Sequence, residues 1–136
     1  MAGGRPKNLV LIVARELASN LATPVFIVDD AGLIVFYNEP AEAILGRTFS
    51  EFGEVPAEEW RALFEPESVD GRPLPLDELP SGIAFRERRP AHGTLTIRGL
   101  DGVRREISAT GLPLFARGLE FVGAVSIFWE RGTETA

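Results

Sequence analysis

The stretch from Pro24 to Gly46 constrains the fold of this chain more than any other part of the sequence. Two short apolar runs rich in Val, Ile and Phe, Val25 to Val28 and Leu33 to Tyr37, are separated by Asp-Asp-Ala-Gly. Apolar runs on either side of a turn built from Asp and Gly predict a β-hairpin. We therefore expect a sheet that starts with this hairpin.

A short helix is predicted directly after the hairpin. The side-chain oxygen of Asn38 can accept a hydrogen bond from the first turn of the helix, and Pro40 fits that turn because no donor is needed there. Gly46 is the residue most easily placed in the left-handed conformation that ends a helix. The apolar residues that share one face of this helix are Ala41, Ile44 and Leu45.

Before the hairpin, Lys7 to Leu21 is predicted to be an amphipathic helix, within an N-terminal element of residues 1–22. One stripe of this helix carries Val10, Val13, Leu17 and Leu21. Three further residues, Leu9, Leu11 and Ile12, make the first half apolar nearly all round, which a helix docked only on its own domain does not need. A second partner surface is one interpretation. An ordinary docked helix or a short strand are the others, since β-branched residues also favour strands.

The middle of the chain predicts two more short helices. Pro56 to Phe64 has proline and glutamates in its first turn and places Trp60, Leu63 and Phe64 on one face. Ser81 to Arg89 follows Pro80 and ends before Pro90.

The last third predicts antiparallel strands. Thr94 to Arg98 and Val103 to Phe115 flank the turn Asp101-Gly102, and Pro113 indicates a bulge or an edge position. On the final strand, Phe121 to Trp129, alternation places Phe121, Val125, Ile127 and Trp129 on one face and Val122, Ala124 and Phe128 on the other. A strand that is apolar on both faces is covered on both. We expect the core helices on one face, and the N-terminal helix or a second subunit on the other.

Composition limits the functions that the chain can have. The 136 residues are 45% hydrophobic and 25% charged, which is typical of one soluble domain, and no apolar run is long enough to span a membrane. We therefore expect a cytoplasmic protein. The absence of cysteine excludes disulfides, thiolate metal sites, cysteine nucleophiles and cysteinyl-flavin chemistry.

Charge argues against nucleic acid as a partner. The net charge of -6 disfavours phosphate binding, which depends on clustered positive charge. Acids dominate residues 39–78, whereas arginines concentrate in residues 86–105. We interpret these segments as two solvated surfaces of opposite sign.

The order of these elements resembles a PAS domain over roughly Leu17 to Glu130. The motifs that carry the resemblance are Val28-Asp29-x-x-Gly32-x-Ile34-Val35, Asn38-x-x-Ala41-x-x-x-Leu45-Gly46, Asp70-Gly71-Arg72-Pro73, Asp101-Gly102 and Val122-Gly123-Ala124-Val125. The resemblance implies an α+β fold: a five-stranded antiparallel sheet with flanking short helices and an N-terminal helix. It implies a PAS domain at residues 23–130 and a C-terminal tail at 131–136.

The resemblance also implies a bacterial sensory or interaction module that encloses a small cavity, is often a homodimer and acts on a kinase, a cyclase or a transcription regulator. Such an output is expected on another polypeptide, or the chain is an excised sensor domain of a two-component system. The family's flavin-binding branch needs an Asn-Cys motif that is absent here. Haem-binding relatives carry their axial histidine on the last helix, whereas the single histidine, His92, lies at a predicted strand start. No cofactor is assigned.

The candidate site residues fall into two groups. For a ligand pocket, or else for plain core, we name Phe26, Phe36, Asn38, Ile44, Leu45, Trp60, Ile83 and Phe85. For a dimer contact we name Leu9, Leu11, Ile12, Phe121, Val125 and Ile127.

An enzyme is not expected. Adjacent carboxylates such as Asp29-Asp30 diverge on a strand, and one histidine without cysteine supports neither a catalytic triad nor a metal site. The prediction is a non-catalytic sensor that binds a small molecule and/or dimerises. A protein-interaction module with a filled core is the alternative, and a small hydrolase or isomerase is a remote one.

Overall fold

A computed structural model describes residues 4–131, with side chains from residue 9 onward. The helices are α1 (Gly4–Ser19), α2 (Glu39–Leu45), α3 (Phe49–Phe52), α4 (Ala57–Phe64) and α5 (Pro80–Glu87). The strands are β1 (Val25–Asp29), β2 (Leu33–Tyr37), β3 (Val55–Pro56), β4 (Ala91–Arg98), β5 (Arg104–Ala116) and β6 (Glu120–Glu130).

The strands form one antiparallel sheet in the order β3-β2-β1-β6-β5-β4. The predicted α+β class is confirmed, but the sheet has six strands instead of five. The additional strand is β3, whose two residues pair with Leu33 and Ile34. A two-residue strand is too short to show a period-2 pattern, so no periodicity predicts it.

The two faces of the sheet carry different layers. The inner face and helices α2 and α4 share the main core cluster, which includes Phe26, Leu45, Trp60 and Phe128. Helix α5 packs directly on β5: a Cβ atom at Gly111 would lie 2.3 Å from the carbonyl oxygen of Pro80. No other residue type fits there without moving the backbone of α5.

The predicted hairpin and its following helix are confirmed. Asn38 is the N-cap of α2, and its side chain accepts from the backbone N–H of Ala41. Gly46 ends the helix in the left-handed conformation with φ of 90°. Both ends of this seven-residue helix are therefore set by the residue types that the sequence provides.

Helix α1 lies on the outer face of the sheet. The side of the helix that contacts the sheet is not the side that carries most of its large apolar residues. Leu11, Ala14 and Ala18 pack against the second cluster, which contains Val25 and Ile27 of β1. Two residues of the predicted stripe, Val13 and Leu17, point away from the domain and are exposed at 56% and 63%, whereas Val10 is half-buried. Alanines at positions 14 and 18 let the helix approach the sheet closely, and this small-residue face contributes little to an apolar periodicity count.

The alternation predicted for β6 is broken near its start. A β-bulge places Phe115 opposite Phe121 while Leu114 pairs with Gly123, so Val122 is the extra residue. The Phe121 ring consequently contacts Phe85 of α5 at 5.3 Å. The prediction that Phe121 shares a face with Val125 and Ile127 is therefore wrong; only the latter two pack in the α1 cluster.

Candidate functional site

A small apolar cavity lies between the inner face of the sheet and the helices, with a volume of ≈ 40 Å³. Its floor is formed by strand residues Phe26, Leu95, Ile97, Ile107, Ala109, Ser126 and Phe128. Its roof is formed by Trp60 and Phe64 of α4, by Pro80 and Ser81 of α5, and by Pro66 and Leu79. A water molecule needs about 10–15 Å³ on this measure, so the cavity holds roughly three water-sized groups.

Aromatic rings set the shape of the cavity. The centroid of Trp60 lies 4.6 Å from that of Phe26 and 4.9 Å from that of Phe64, and Phe26 is 6.0 Å from Phe128. Tilted and edge-on pairs at these separations are the favoured arrangement of aromatic rings. They fix the indole of Trp60 in one orientation beside the cavity.

The polar groups of the cavity wall are few and buried. Ser81 and Ser126 are 9% and 3% exposed. Trp60 is 8% exposed, and its indole Nε1 is buried without a hydrogen-bond partner in the described part of the chain. An unpaired buried donor costs about 1–3 kcal/mol, so this nitrogen is an uncommon feature in an otherwise satisfied core.

Two of the predicted pocket residues, Phe26 and Trp60, line this cavity. Ile44 and Leu45 lie in the same core cluster but outside the cavity wall, and Ile83 is half-buried on α5. Phe85 lines a separate open groove. The floor contributed by β4, β5 and β6 was not among the predicted pocket residues, although the alternation of Leu95 with Ile97 and of Ile107 with Ala109 could have indicated it.

Phe36 and Asn38 do not line the core cavity, which corrects two predictions; they border a separate open pocket beside α2 and α3. A bulge between β1 and β2 pairs Ile27 with Phe36 and Val28 with Ile34, so Phe36 lies on the outer face. There its ring packs in the α1 cluster with the Arg15 guanidinium 4.8 Å above it. Asn38 is 2% exposed, and both atoms of its amide are bonded to the protein itself.

The open groove has a volume of ≈ 800 Å³ and lies between the β1–β2 turn, α4 and α5. Its walls combine apolar Pro56, Leu76 and Phe85 with Asp77 and Arg86, which form an ion pair at 2.7 Å. The groove therefore differs from the cavity in having charged as well as apolar walls.

The exposed side of α1 is a continuous apolar surface, which we call the α1 patch. Its members and their exposures are Leu9 (61%), Ile12 (61%), Val13 (56%) and Leu17 (63%). Of the predicted dimer contacts, Leu9 and Ile12 belong to this patch. Leu11 does not, because it packs against its own sheet together with Val125 and Ile127.

The arginine-rich segment does not present free positive charge. Its arginines pair largely with the acidic segment before it: Arg86 with Asp77, Arg98 with Glu65 and Arg104 with Glu67. Three more engage nearby groups, since Arg89 pairs with Glu87, Arg105 pairs with Asp101 and Arg88 stacks 3.6 Å from the centroid of Phe121. The two oppositely charged segments therefore face each other.

His92 lies on β4, where its Nδ1 is 2.8 Å from Thr110 Oγ1 and its ring is 6.0 Å from that of Trp129. It is not among the residues that line the cavity. Within residues 4–131, no group of three or more His, Asp or Glu side chains is placed to hold a metal ion. No helix in the same range is long and apolar enough to cross a membrane.

No protein-family model matches the sequence, and no curated protein matches it. Solved structures do match. A PAS domain of a protein from Colwellia psychrerythraea aligns with a TM-score of 0.65 at 17% identity, covering 92% of this chain and 99% of that one. The LOV protein of Rhodobacter sphaeroides gives a TM-score of 0.70 at 15% identity, over 92% of this chain and 69% of that one.

A third match is a PAS domain from a two-component sensor histidine kinase, with a TM-score of 0.60 at 11% identity over 91% of this chain and 98% of that one. These similarities and the observed sheet order agree. The protein has the fold of a PAS domain, as the motifs in its sequence predict.

Proposed function

We propose that the protein is a non-catalytic PAS-type sensory domain that binds a small molecule in the core cavity and dimerises through the α1 patch. The observation that carries this proposal is the arrangement of both sites on the same strands. On β1, Phe26 faces the cavity while its neighbours Val25 and Ile27 face α1. On β6, Phe128 faces the cavity and Ile127 faces α1. A ligand that shifts these strands therefore also shifts the surface on which α1 packs.

Dimerisation is supported by the chemistry of the α1 patch. Several large apolar side chains more than half exposed on one helix face form a surface that monomeric soluble proteins rarely leave uncovered. A second copy of the chain presents the same patch, so the contact is self-complementary about a two-fold axis. The output partner, by analogy with the similar domain from a sensor histidine kinase, is a kinase, a cyclase or a transcription regulator.

The site of action proposed is the bacterial cytoplasm, since such output partners act there. The alternative is a protein-interaction module with a filled core, and the small cavity volume of ≈ 40 Å³ favours it over a large ligand. The remote enzyme alternative gains no support from His92, whose described contacts are Thr110 and Trp129 and not a carboxylate.

Native mass spectrometry of freshly purified protein tests the proposal. We expect a dimer that carries a retained small molecule. The substitution Ala109→Leu places extra atoms in the cavity floor and should remove the bound mass while the dimer remains, at a stability cost of about 1–3 kcal/mol. Ala43→Leu, on the exposed side of α2, is the matched control and should change neither. A monomer without bound mass at micromolar concentration would contradict both parts of the proposal.

A further inference from the structure

The open groove beside α5 has the dimensions of a small-molecule site. Its volume of ≈ 800 Å³ lies within the range of roughly 300–1,000 Å³ that ligand pockets occupy. The apolar part of its wall comes from the β1–β2 hairpin, from the start of α4 and from α5 with the segment before it, through Val28, Ala31, Pro56, Leu76 and Phe85. A ligand in this groove therefore needs an apolar body.

The charged side chains of the groove wall leave one cation in excess. Asp77 pairs with Arg86 at 2.7 Å, and Glu58 pairs with Arg61 at 2.7 Å. Both acids that line the groove thus already have an arginine as partner. Arg88 is a further cation on the same wall. Electrostatic complementarity therefore favours an anionic group in the ligand.

The guanidinium of Arg88 is held in place by the protein itself. Its Cζ atom lies 3.6 Å from the centroid of the Phe121 ring, and one of its N–H groups donates to the carbonyl oxygen of Phe85. Stacking uses the face of the guanidinium and leaves N–H groups along its edge, where their fork matches the two oxygens of a carboxylate. Arg88 also ends α5 with a φ of 60°, a left-handed conformation that is less favourable for arginine than for glycine. A strained backbone and a fixed cation therefore coincide at the edge of an apolar groove.

We propose that the groove binds a small organic carboxylate with an apolar body, whose carboxylate pairs with Arg88 while the body packs against Phe85 and Leu76. This is a second site, outside the core cavity, and it does not depend on the cavity binding a ligand. Ser81 of α5 lines both the groove and the cavity. A ligand in the groove therefore contacts the helix that also roofs the cavity.

The test compares 4-phenylbutyrate with 4-phenylbutanamide, a neutral amide of nearly equal size and shape. ¹H–¹⁵N NMR spectra of the full chain report binding, because Gly32 and Gly82 lie in the groove wall and their backbone N–H groups give resonances there. We expect the carboxylate to shift both resonances and to bind with a lower dissociation constant than the amide. The difference should shrink as the salt concentration rises, because salt screens exposed charges.

The variant Arg88→Asn removes the cation and introduces a residue type that tolerates the left-handed conformation. It should weaken binding of the carboxylate roughly five- to twelve-fold, between the upper value for an exposed ion pair and the lower value for a charge-assisted hydrogen bond. Binding of the amide should not change. Arg89→Asn is the matched control, since Arg89 is an exposed neighbouring arginine that does not line the groove.

A filling substitution tests the position of the ligand independently of charge. Ala31→Leu adds bulk to the groove from an exposed turn and should weaken binding of both compounds. If Arg88→Asn does not fold, this variant and the comparison of the two compounds in the wild-type protein decide the question. Equal binding of carboxylate and amide, or equal losses in Arg88→Asn and Arg89→Asn, would show that Arg88 does not select the anion.

The remaining outcomes separate the groove from the cavity and from other occupants. Ala109→Leu, which fills the cavity floor, should leave the affinity for 4-phenylbutyrate unchanged; a loss of binding there would place the compound in the cavity and overturn the proposal. Shifts of the Gly32 and Gly82 resonances on concentrating the protein alone would show that a second copy fills the groove. Binding of the peptide acetyl-Leu-Glu-Leu-Glu-amide but of neither compound would assign the groove to a protein segment. Either result, or no binding of 4-phenylbutyrate at millimolar concentration, overturns the proposal.

Discussion

Asn38 joins three elements of the fold through one side chain. Its Oδ1 accepts from the backbone N–H groups of Val25 at 3.0 Å and Ala41 at 3.2 Å. Its Nδ2 donates to the carbonyl oxygens of Ala18 and Thr23, each at 2.9 Å. The sequence predicts only the cap of α2; the bonds to the end of α1 and the start of β1 depend on tertiary structure that no local pattern shows.

The substitution Asn38→Ala should therefore cost more than the loss of a helix cap. It leaves buried backbone groups on three elements without partners, and we expect a loss of roughly 2–4 kcal/mol in the free energy of unfolding. Thr48→Ala is the control, because Thr48 caps α3 at an exposed position with the same geometry. That variant should lose about 0.5–2 kcal/mol. Equal losses in urea denaturation would show that the extra bonds of Asn38 contribute nothing.

Tyr37 is the other buried polar side chain of the hairpin. It is 1% exposed, and its hydroxyl donates to the carbonyl oxygen of Arg47 at 2.9 Å. Burial, and to a lesser degree the nearby Glu42 carboxylate, raise the pKa of Tyr37 from 10.0 to about 12. The folded protein thus keeps this phenol protonated where the unfolded chain has lost the proton.

This difference predicts the stability of the protein in alkali. Below pH 10.0 the contribution of Tyr37 is fully present, and it is lost as the pH rises to about 12, because only the unfolded chain releases the proton in that interval. The free energy of unfolding should fall over this range in the wild-type protein and fall less in Tyr37→Phe. Because Tyr37 is the only tyrosine, its ultraviolet titration reports its pKa directly. A titration midpoint near 10.0 in the folded protein would contradict the prediction.

At the scale of elements, α1 shows why an apolar count can select the wrong face of a helix. Periodicity weighs Val13 and Leu17 heavily, yet these point to solvent, while Ala14 and Ala18 face the sheet. By contrast α2 was predictable to the residue, because its cap, its proline and its glycine are local signals. The short helix α3 was not predicted, although Thr48 and Glu51 form a capping box, which is a sequence signature of a helix start.

Bulges account for the remaining errors at this scale. The shifts between Ile27 and Val28 and between Leu114 and Phe115 invert the side-chain alternation of the strands they occur in. They account for the incorrect faces assigned to Phe36 and Phe121. Pro113 indicated a bulge or an edge: it lies beyond Gly111, the last residue of β5 that pairs with β4, and the nearby bulge is on the partner strand β6. The position of a one-residue bulge depends on the partner strand, which a single sequence segment does not contain.

Two substitutions on α1 separate its two faces. Ile12→Glu lies on the α1 patch and should abolish the dimer without loss of the fold, because an unpaired carboxylate is costly only inside the contact. Leu11→Glu lies against the sheet and should instead lower the free energy of unfolding by several kcal/mol. The matched control is Val69→Glu, since Val69 is similarly exposed, at 67%, but lies far along the chain from α1. Light scattering and thermal melts measure the two effects; a dimer that survives Ile12→Glu would exclude the α1 patch as the interface.

At the scale of the whole molecule, one sheet separates two sites of opposite character. The inner face holds a small apolar cavity, and the outer face holds a helix whose free side is apolar. The order of the sequence motifs predicted this architecture, because each hairpin turn and each helix cap is encoded by a few neighbouring residues. The cavity floor was not predicted, because it is assembled from β1, β4, β5 and β6, which are distant in sequence and meet only through the order of the strands.

Removal of residues 1–20 tests whether α1 is needed for the domain as well as for the dimer. The deletion uncovers Val125 and Ile127 on the outer face and removes the carbonyl oxygen of Ala18 that Asn38 Nδ2 binds. We expect a protein that aggregates or becomes monomeric with a lower free energy of unfolding, because apolar burial and a buried hydrogen bond are lost together. Deletion of residues 132–136 is the control and should change neither property. Light scattering across micromolar concentrations, combined with urea denaturation, measures both; a shortened protein as stable and as dimeric as the full chain would show that dimerisation uses another surface.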